Sequence, residues 1–174
     1  MSATSIQFPD RQPRMSASFE EVPAWRELVL KEAALLDARR FTEWLDLFDE
    51  AGHYWMPADT AQSSPETNLS LFFEPRQVLV LRVERLLNPR THVQVPPSRT
   101  HHHVSEVRLL NEDEKGVSLE SMQLVIEHRK QTQRMFSARV THQLVLSDGH
   151  WRIMQKRVDL IDCDAAHRAL PFPL

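Results

Sequence analysis

The sequence predicts an α+β fold in which N-terminal helices pack on one face of a curved antiparallel sheet. Apolar residues recur at helical spacing as far as about residue 87, and the period changes to the two-residue alternation of strands from residue 100. Helices followed by strands are typical of an α+β layer fold, because parallel α/β folds alternate the two elements. We expect residues 18–174 to form one domain and the polar residues 1–17 to form a flexible N-terminal arm. Met15 begins a second Met-Ser-Ala and is an alternative start.

Three helices are predicted from apolar stripes and their end signals. Ser18 and Glu21 have capping-box spacing before the first helix, Asp37 can cap the second, and Pro75 suits the first turn of the third. The predicted helices cover Glu20–Asp37, Arg40–Phe48 and Pro75–Leu87.

Strands are predicted after each change of period. His53–Met56 is a short strand that Pro57 ends, and Ala58–Asn68 has the composition of a loop. In the β-rich half, turns are expected at Asn111–Gly116 and Ser147–Gly149, and a change of phase near Ile153 indicates a β-bulge. The four β-rich runs are Thr100–Leu110, Val117–Lys130, Met135–Leu146 and Trp151–Ile161.

The third β-rich run has the clearest alternation. Its apolar side is expected to face the helices, and its polar side is expected to face away from them. The apolar side carries Phe136, Ala138, Val140, His142, Leu144 and Leu146, and the polar side carries Ser137, Arg139, Thr141 and Gln143.

Composition excludes several functions. The net charge is −3, without a basic face, so nucleic acid is not an expected partner. No apolar run approaches the ~18 residues of a membrane span. The single cysteine, Cys163, excludes an intrachain disulfide and fits a reducing cytoplasm.

Cofactor sites are also excluded by the residue inventory. A Rieske cluster needs two cysteines and two histidines, which this chain cannot supply alone. Only three glycines are present, so a glycine-rich phosphate loop is absent from the sequence. We therefore predict no catalytic, cofactor-binding or metal-binding residue, and we give Cys163 no nucleophilic role.

A set of short motifs carries a family resemblance over roughly Glu32 to Asp162. The chain resembles the β subunits of aromatic-ring-hydroxylating dioxygenases, because these motifs occur together and in this order. They are Leu35-Leu36-Asp37, Glu43-Trp44-Leu45, Tyr54-Trp55-Met56-Pro57, Arg82-Val83, Pro96-Pro97-Ser98-Arg99-Thr100 and Trp151-Arg152-Ile153.

The resemblance implies a fold, a role and partners. The family fold is the cystatin-like cone, shared with scytalone dehydratase and ketosteroid isomerase. The implied role is a non-catalytic structural subunit of an enzyme that inserts O2 into an aromatic substrate in aromatic-compound catabolism. The large subunit would hold a Rieske [2Fe–2S] cluster and a mononuclear Fe(II), with electrons from NADH through a reductase. A trimer of this chain would carry a trimer of large subunits, giving a heterohexamer.

The run His101-His102-His103 departs from the family pattern, in which one histidine lies between a basic and an apolar residue. His102 takes the matching place. Consecutive strand residues alternate sides, so only His101 and His103 share a face, and two ligands do not enclose a metal. A polar strand rim or a subunit contact is the simpler interpretation. His128 and His142 are interpreted as hydrogen-bonded histidines on apolar strand faces.

Two other functions stay open. One is a stand-alone dehydratase or isomerase of the same cone fold, using acid–base chemistry from Tyr54, His102, His142 and either Asp46 or Asp49. The other is a non-enzymatic oligomerisation module.

Surfaces for a partner are expected in three places. The first is a segment with Arg82, Arg85, Arg90 and Arg99, which is either solvated or paired with the large subunit. The second is the polar side of the third β-rich run. The third is the tail, Leu170–Leu174, whose apolar residues are expected to dock against a neighbouring subunit.

Overall fold

The protein is an open sheet covered by helices on one face, here described by a computed structural model for residues 22–90, 95–167, 170 and 172–174. The predicted arm and the residues of the predicted capping box, Ser18 and Glu21, lie outside the described residues. Within them, the helices are α1 (Ala24–Asp37), α2 (Phe41–Leu45) and α3 (Arg76–Leu87), and the strands are β1 (Phe48–Pro57), β2 (Ser70–Pro75), β3 (Arg99–Asp113), β4 (Gly116–Arg129), β5 (Thr132–Ser147) and β6 (His150–Leu160).

The six strands form one sheet in the order β2-β1-β6-β5-β4-β3. Strands β3 to β6 pair antiparallel in sequence order, as predicted. Two further strands extend the sheet beyond β6: β1 pairs parallel with β6, and β2 pairs antiparallel with β1. The prediction for β1 was too short, and β2 was not predicted.

Short turns join the meander strands. The turn between β3 and β4 is shorter than predicted, because β3 continues to Asp113 and leaves only Glu114 and Lys115 in the turn. Gly116 follows with φ +148°, and a Cβ there would lie 1.9 Å from the carbonyl oxygen of Leu144. Only glycine fits this position, since both the backbone angle and the close approach exclude a side chain.

The predicted helix starts need correction. Helix α1 starts at Ala24 after Pro23, and α2 is capped by Arg40 and ends at Leu45. Asp37 does not cap α2, because its carboxylate instead accepts hydrogen bonds from β3. The residue at the end of the predicted second helix, Phe48, starts β1, although its ring still contacts that of Trp44 at 5.2 Å.

The third meander strand, β5, confirms the predicted faces. Its apolar side is buried from Phe136 to Leu144, and Arg139 and Gln143 are exposed on the other side. Leu146 is 62% exposed, so burial of the apolar side ends before the strand does. The predicted bulge is confirmed beside Ile153, where one residue of β6 has no partner on β5.

The tail packs into the core of its own chain. Leu170, Phe172 and Leu174 are each at most 7% exposed, and the rings of Phe172 and Phe136 meet edge to face at 5.9 Å. The prediction that this tail docks against a neighbouring subunit is therefore wrong. Its apolar side chains already cover apolar surface of the sheet, which leaves them no free area for a partner.

None of the helices described between residues 22 and 174 is long and apolar enough to cross a membrane.

Candidate functional site

Four polar side chains meet inside the core, between the helices and the sheet. Glu32 comes from α1, Trp44 from α2, His142 from β5 and Lys156 from β6. The Glu32 carboxylate accepts hydrogen bonds from Trp44 Nε1 at 2.9 Å and from His142 Nε2 at 2.8 Å. The ammonium nitrogen of Lys156 lies 3.0 Å from the same carboxylate. We call these four residues the Glu32 cluster.

The Glu32 cluster is held by opposite charge in a dry environment. All four side chains are at most 1% exposed. Burial alone would raise the pKa of Glu32. The charges of Lys156 and His142 and the hydrogen bonds from His142 and Trp44 outweigh that effect and hold the pKa well below its ordinary value. Glu32 is therefore an ionised carboxylate with basic groups on two sides.

Two members of the cluster, Glu32 and Lys156, were missed by sequence analysis. The first interrupts the apolar side of α1 between Val29 and Leu36, and Lys156 is the β5–β6 register partner of His142. A charged residue on each of two apolar faces is the signal that could have found the pair. The prediction of a hydrogen-bonded core histidine at position 142 is confirmed.

A second pair joins α1 to β3. Asp37 accepts hydrogen bonds from the hydroxyl of Thr100 at 3.0 Å and from the backbone N–H of His102 at 2.9 Å. The Nδ1 atom of His102 lies 2.6 Å from the same carboxylate. Burial would raise the pKa of Asp37, but the hydrogen bonds and charge of His102 lower it. Two of the family motifs, Leu35-Leu36-Asp37 and Ser98-Arg99-Thr100, thus meet through direct contacts.

The other two histidines of the triple run lie on the opposite side of β3, as predicted. His101 is 70% exposed in its side chain and lies 3.6 Å from Asp37, and His103 is exposed. Among the described residues, no group of three or more His, Cys, Asp or Glu side chains is arranged to hold a metal ion.

The candidates for a stand-alone enzyme do not form one site. His142 contacts Glu32, His102 contacts Asp37, and the Tyr54 hydroxyl accepts a hydrogen bond from the backbone N–H of Leu174 at 3.4 Å. Burial raises the pKa of Tyr54 above its ordinary value.

The two aspartates proposed for that enzyme lie elsewhere. Asp46 is exposed, and Asp49 caps a turn by accepting the N–H of Ala51. Both line a small surface pocket with Arg76 and Arg152.

The arginine segment is only partly free. Arg82 forms a bidentate salt bridge with Glu74 and stacks on the ring of Phe72 at 4.6 Å, so it supports the fold. Arg85, Arg90 and Arg99 are exposed. Cys163 is a buried free cysteine.

Comparison with known proteins identifies the family. The profile of the family "Ring hydroxylating beta subunit" matches residues 31–165. The chain is 28% identical over 161 residues to a 2-halobenzoate 1,2-dioxygenase small subunit of Burkholderia cepacia, covering 90% of this chain and 95% of that one.

Solved structures share the fold. The β subunit of a benzoate 1,2-dioxygenase from Burkholderia mallei aligns with a TM-score of 0.67 and 24% identity, over 79% of this chain and 89% of that one. A proposed scytalone dehydratase from Novosphingobium aromaticivorans aligns with a TM-score of 0.62 and 17% identity, over 84% of this chain and 88% of that one. At these identities both likenesses show the cone fold alone. The family profile spans most of the chain, and this protein therefore belongs to the β subunits of aromatic-ring-hydroxylating dioxygenases.

Proposed function

We propose that this β subunit is structural and has no active site of its own. One observation carries the proposal: the acid–base groups of its core point at one another and are buried. A general acid or base must come within about 2.6–3.2 Å of the substrate. His142 and Glu32 meet this distance only inside the Glu32 cluster, with each other and with Trp44 and Lys156, and all four side chains are at most 1% exposed.

The redox cofactors of the complex belong, on this proposal, to the large subunit. A Rieske cluster needs two cysteines and two histidines, and this chain has one cysteine. The residues therefore do not fit such a cluster. We propose that the large subunit carries the Rieske cluster and a mononuclear Fe(II), and that a reductase supplies electrons from NADH in the reducing cytoplasm.

The assembly that we propose is a heterohexamer of three large and three small subunits. Members of this family partner with large oxygenase subunits. The helix-free face of the sheet supports the proposal, because it exposes arginine and glutamine side chains on β5 and the apolar Met135, which is 67% exposed.

The substrate class that we propose is an aromatic carboxylate. The two dioxygenases described above act on 2-halobenzoate and benzoate, which share a carboxylate on the ring. Turnover by the assembled complex on benzoate, a halobenzoate and benzene would test this class. Faster oxidation of benzene than of either acid would contradict it.

Co-expression with a Rieske-type large subunit tests the structural role. We expect the isolated chain to contain no stoichiometric iron and to turn over no substrate. In the complex, His142→Ala and His102→Ala should reduce the amount assembled while turnover per intact complex stays near normal. A loss of about 100-fold or more in turnover by a fully assembled complex would contradict the proposal.

The same experiment tests the dehydratase or isomerase alternative, which is supported by the shared cone fold alone. Conversion of a cyclic substrate by the isolated chain would favour that alternative.

A further inference from the structure

A groove of about 680 Å³ crosses the face of the sheet that the helices leave uncovered. Strands β5 and β6 form its floor, and the loop between β1 and β2 forms one wall. The side chains that line the groove include Arg139, Thr141, Gln143, Arg157 and Ile161.

The polar lining of the groove is rich in hydrogen-bond donors. The side chain of Arg139 is 60% exposed, and its Nε atom lies 3.5 Å from the carboxylate of Glu120, which makes a weak salt bridge. Gln143 is exposed, and its side-chain amide makes no hydrogen bond with any described residue. Arg157 is held in place by Asp159 and by stacking on Trp55 at 4.4 Å. These donors favour carboxylates as the groups that enter the groove.

Part of the groove is apolar and exposed. Ile161 lines it and is 74% exposed, and Met122 lies beside Arg139 across the β4–β5 pair. An occupant that matches the groove therefore carries both acidic and apolar side chains.

The end of the β3–β4 hairpin has this composition. Residues 108–114 are all exposed, and the carboxylates of Glu112 and Glu114 form no hydrogen bond or salt bridge with a described residue. Leu109 and Leu110 are 42% and 54% exposed on β3, which is an edge strand of the sheet. An exposed edge with apolar side chains is a surface that proteins cover with another chain.

The hairpin end borders one end of the groove of its own chain, at Gln143, which also lines a smaller pocket with Asn111, Asp113 and Lys115. Pairing between β4 and β5 ends at Val117 and Leu144, and the hairpin continues beyond that pair. The groove extends the other way along β5, from Gln143 through Thr141 to Arg139. The hairpin turn of the same molecule therefore lies beyond the Gln143 end of the groove, and the Arg139 end lies further along β5.

We propose that the acidic hairpin end of one copy docks in the groove of a second copy. The inference rests on the trimer of the proposed function and names the surfaces that form it. Since the hairpin and the groove are different surfaces, the contact is head-to-tail, and a rotation of one third of a turn closes it into a ring. Glu112 and Glu114 then meet Arg139 and Gln143, and Leu109 and Leu110 cover Ile161.

Charge exchange tests the contact in the full-length chain. Arg139→Glu alone, and Glu112→Lys with Glu114→Lys, should each raise the concentration for half-assembly at least about tenfold in sedimentation velocity. Combining all three substitutions should restore most of the assembly. Arg26→Glu is the matched control, because Arg26 is an exposed arginine on the opposite side, in α1, and should leave assembly unchanged.

Three results would overturn the contact: a wild-type chain that stays monomeric, charge variants that assemble as well as the wild type, or a triple variant that is no better than the single ones. Binding to a large subunit separates this inference from the proposed function. If the charge variants self-assemble as well as the wild type and still bind the large subunit, only the groove contact is refuted. A wild-type chain that binds no Rieske-type large subunit refutes the proposed function itself.

Discussion

Replacing Glu32 with Gln, a substitution that keeps the size of the side chain, should strongly destabilise the protein. The substitution keeps the shape of the side chain and removes its charge. Lys156 and His142 would then be two basic groups facing each other in the core without an anion. Breaking a buried ion pair in this way costs about 3–5 kcal/mol.

The expected loss is a large part of the total stability. Single domains have roughly 5–15 kcal/mol of unfolding free energy, and each kcal/mol corresponds to about 2–4 °C in a chain of this size. Glu32→Gln should therefore lower Tm by about 6–20 °C. Urea unfolding, followed by tryptophan fluorescence, measures the loss of unfolding free energy, and Trp44 reports on the cluster because it belongs to it.

Glu43→Gln is the matched control, since Glu43 forms an exposed, solvent-screened salt bridge with Arg40 and should change stability little. A further variant with Glu32→Leu, His142→Phe and Lys156→Met removes every charge together. It should be more stable than Glu32→Gln, because replacing buried charges together by apolar groups is often neutral, and the remaining loss comes from the buried Nε1–H of Trp44, which no longer has Glu32 as its acceptor. A Glu32→Gln protein within about 0.5 kcal/mol of the wild type would refute the argument.

Three further predictions concern pH, the sheet and the tail. The fold lowers the pKa of Glu32, so its ion pairs stabilise the protein above the ordinary value of 4.5 and are lost as the pH falls below it; urea unfolding from pH 7 to pH 3 should show the wild type converging on Glu32→Gln. Val140→Asp should cost several kcal/mol because Val140 is fully buried, whereas Ser137→Asp on the half-buried side should cost much less, as thermal unfolding would show; a folded, unperturbed Val140→Asp would contradict the register. Phe172→Ala should cost about 3–5 kcal/mol in urea unfolding, and equal stability would mean that the tail does not belong to the core.

The meander was predictable because local sequence determines it. Alternating side chains on β5 and short turns, two of which contain glycine, specify both the faces and the strand order. Strand β2 was not predictable in the same way, because its six residues lie at the edge of the sheet and none is fully buried. An edge strand that lacks a buried side does not show the alternation from which strands are recognised.

The contacts of Asp37 and of the tail depend on tertiary structure. Asp37 looks like a helix cap in sequence, and the competing hydrogen bonds from Thr100 and His102 come from a strand 63 and 65 positions away. Leu170 to Leu174 look exposed in sequence, because apolar residues between prolines have no periodicity. In both cases the deciding partner is distant in the chain, so local patterns cannot reveal it.

This chain shares the cone fold with a proposed dehydratase, but a shared fold does not decide whether a protein is a catalyst. The side chains inside the fold decide it. Here the interior contains the usual acid–base groups, and each has at least one partner within the chain: Glu32 with His142 and Lys156, Asp37 with His102, and Tyr54 with the backbone of Leu174. Phe172 and Leu174 fill apolar space beside them. The second ring nitrogens, Nδ1 of His142 and Nε2 of His102, have no partner among the described residues, but both atoms are buried. For Glu32, Asp37 or Tyr54 to act on a substrate, the group would have to give up its internal partner, and the exchange would leave a buried charge or hydroxyl unpaired. The same contacts that make the core stable therefore favour a structural role.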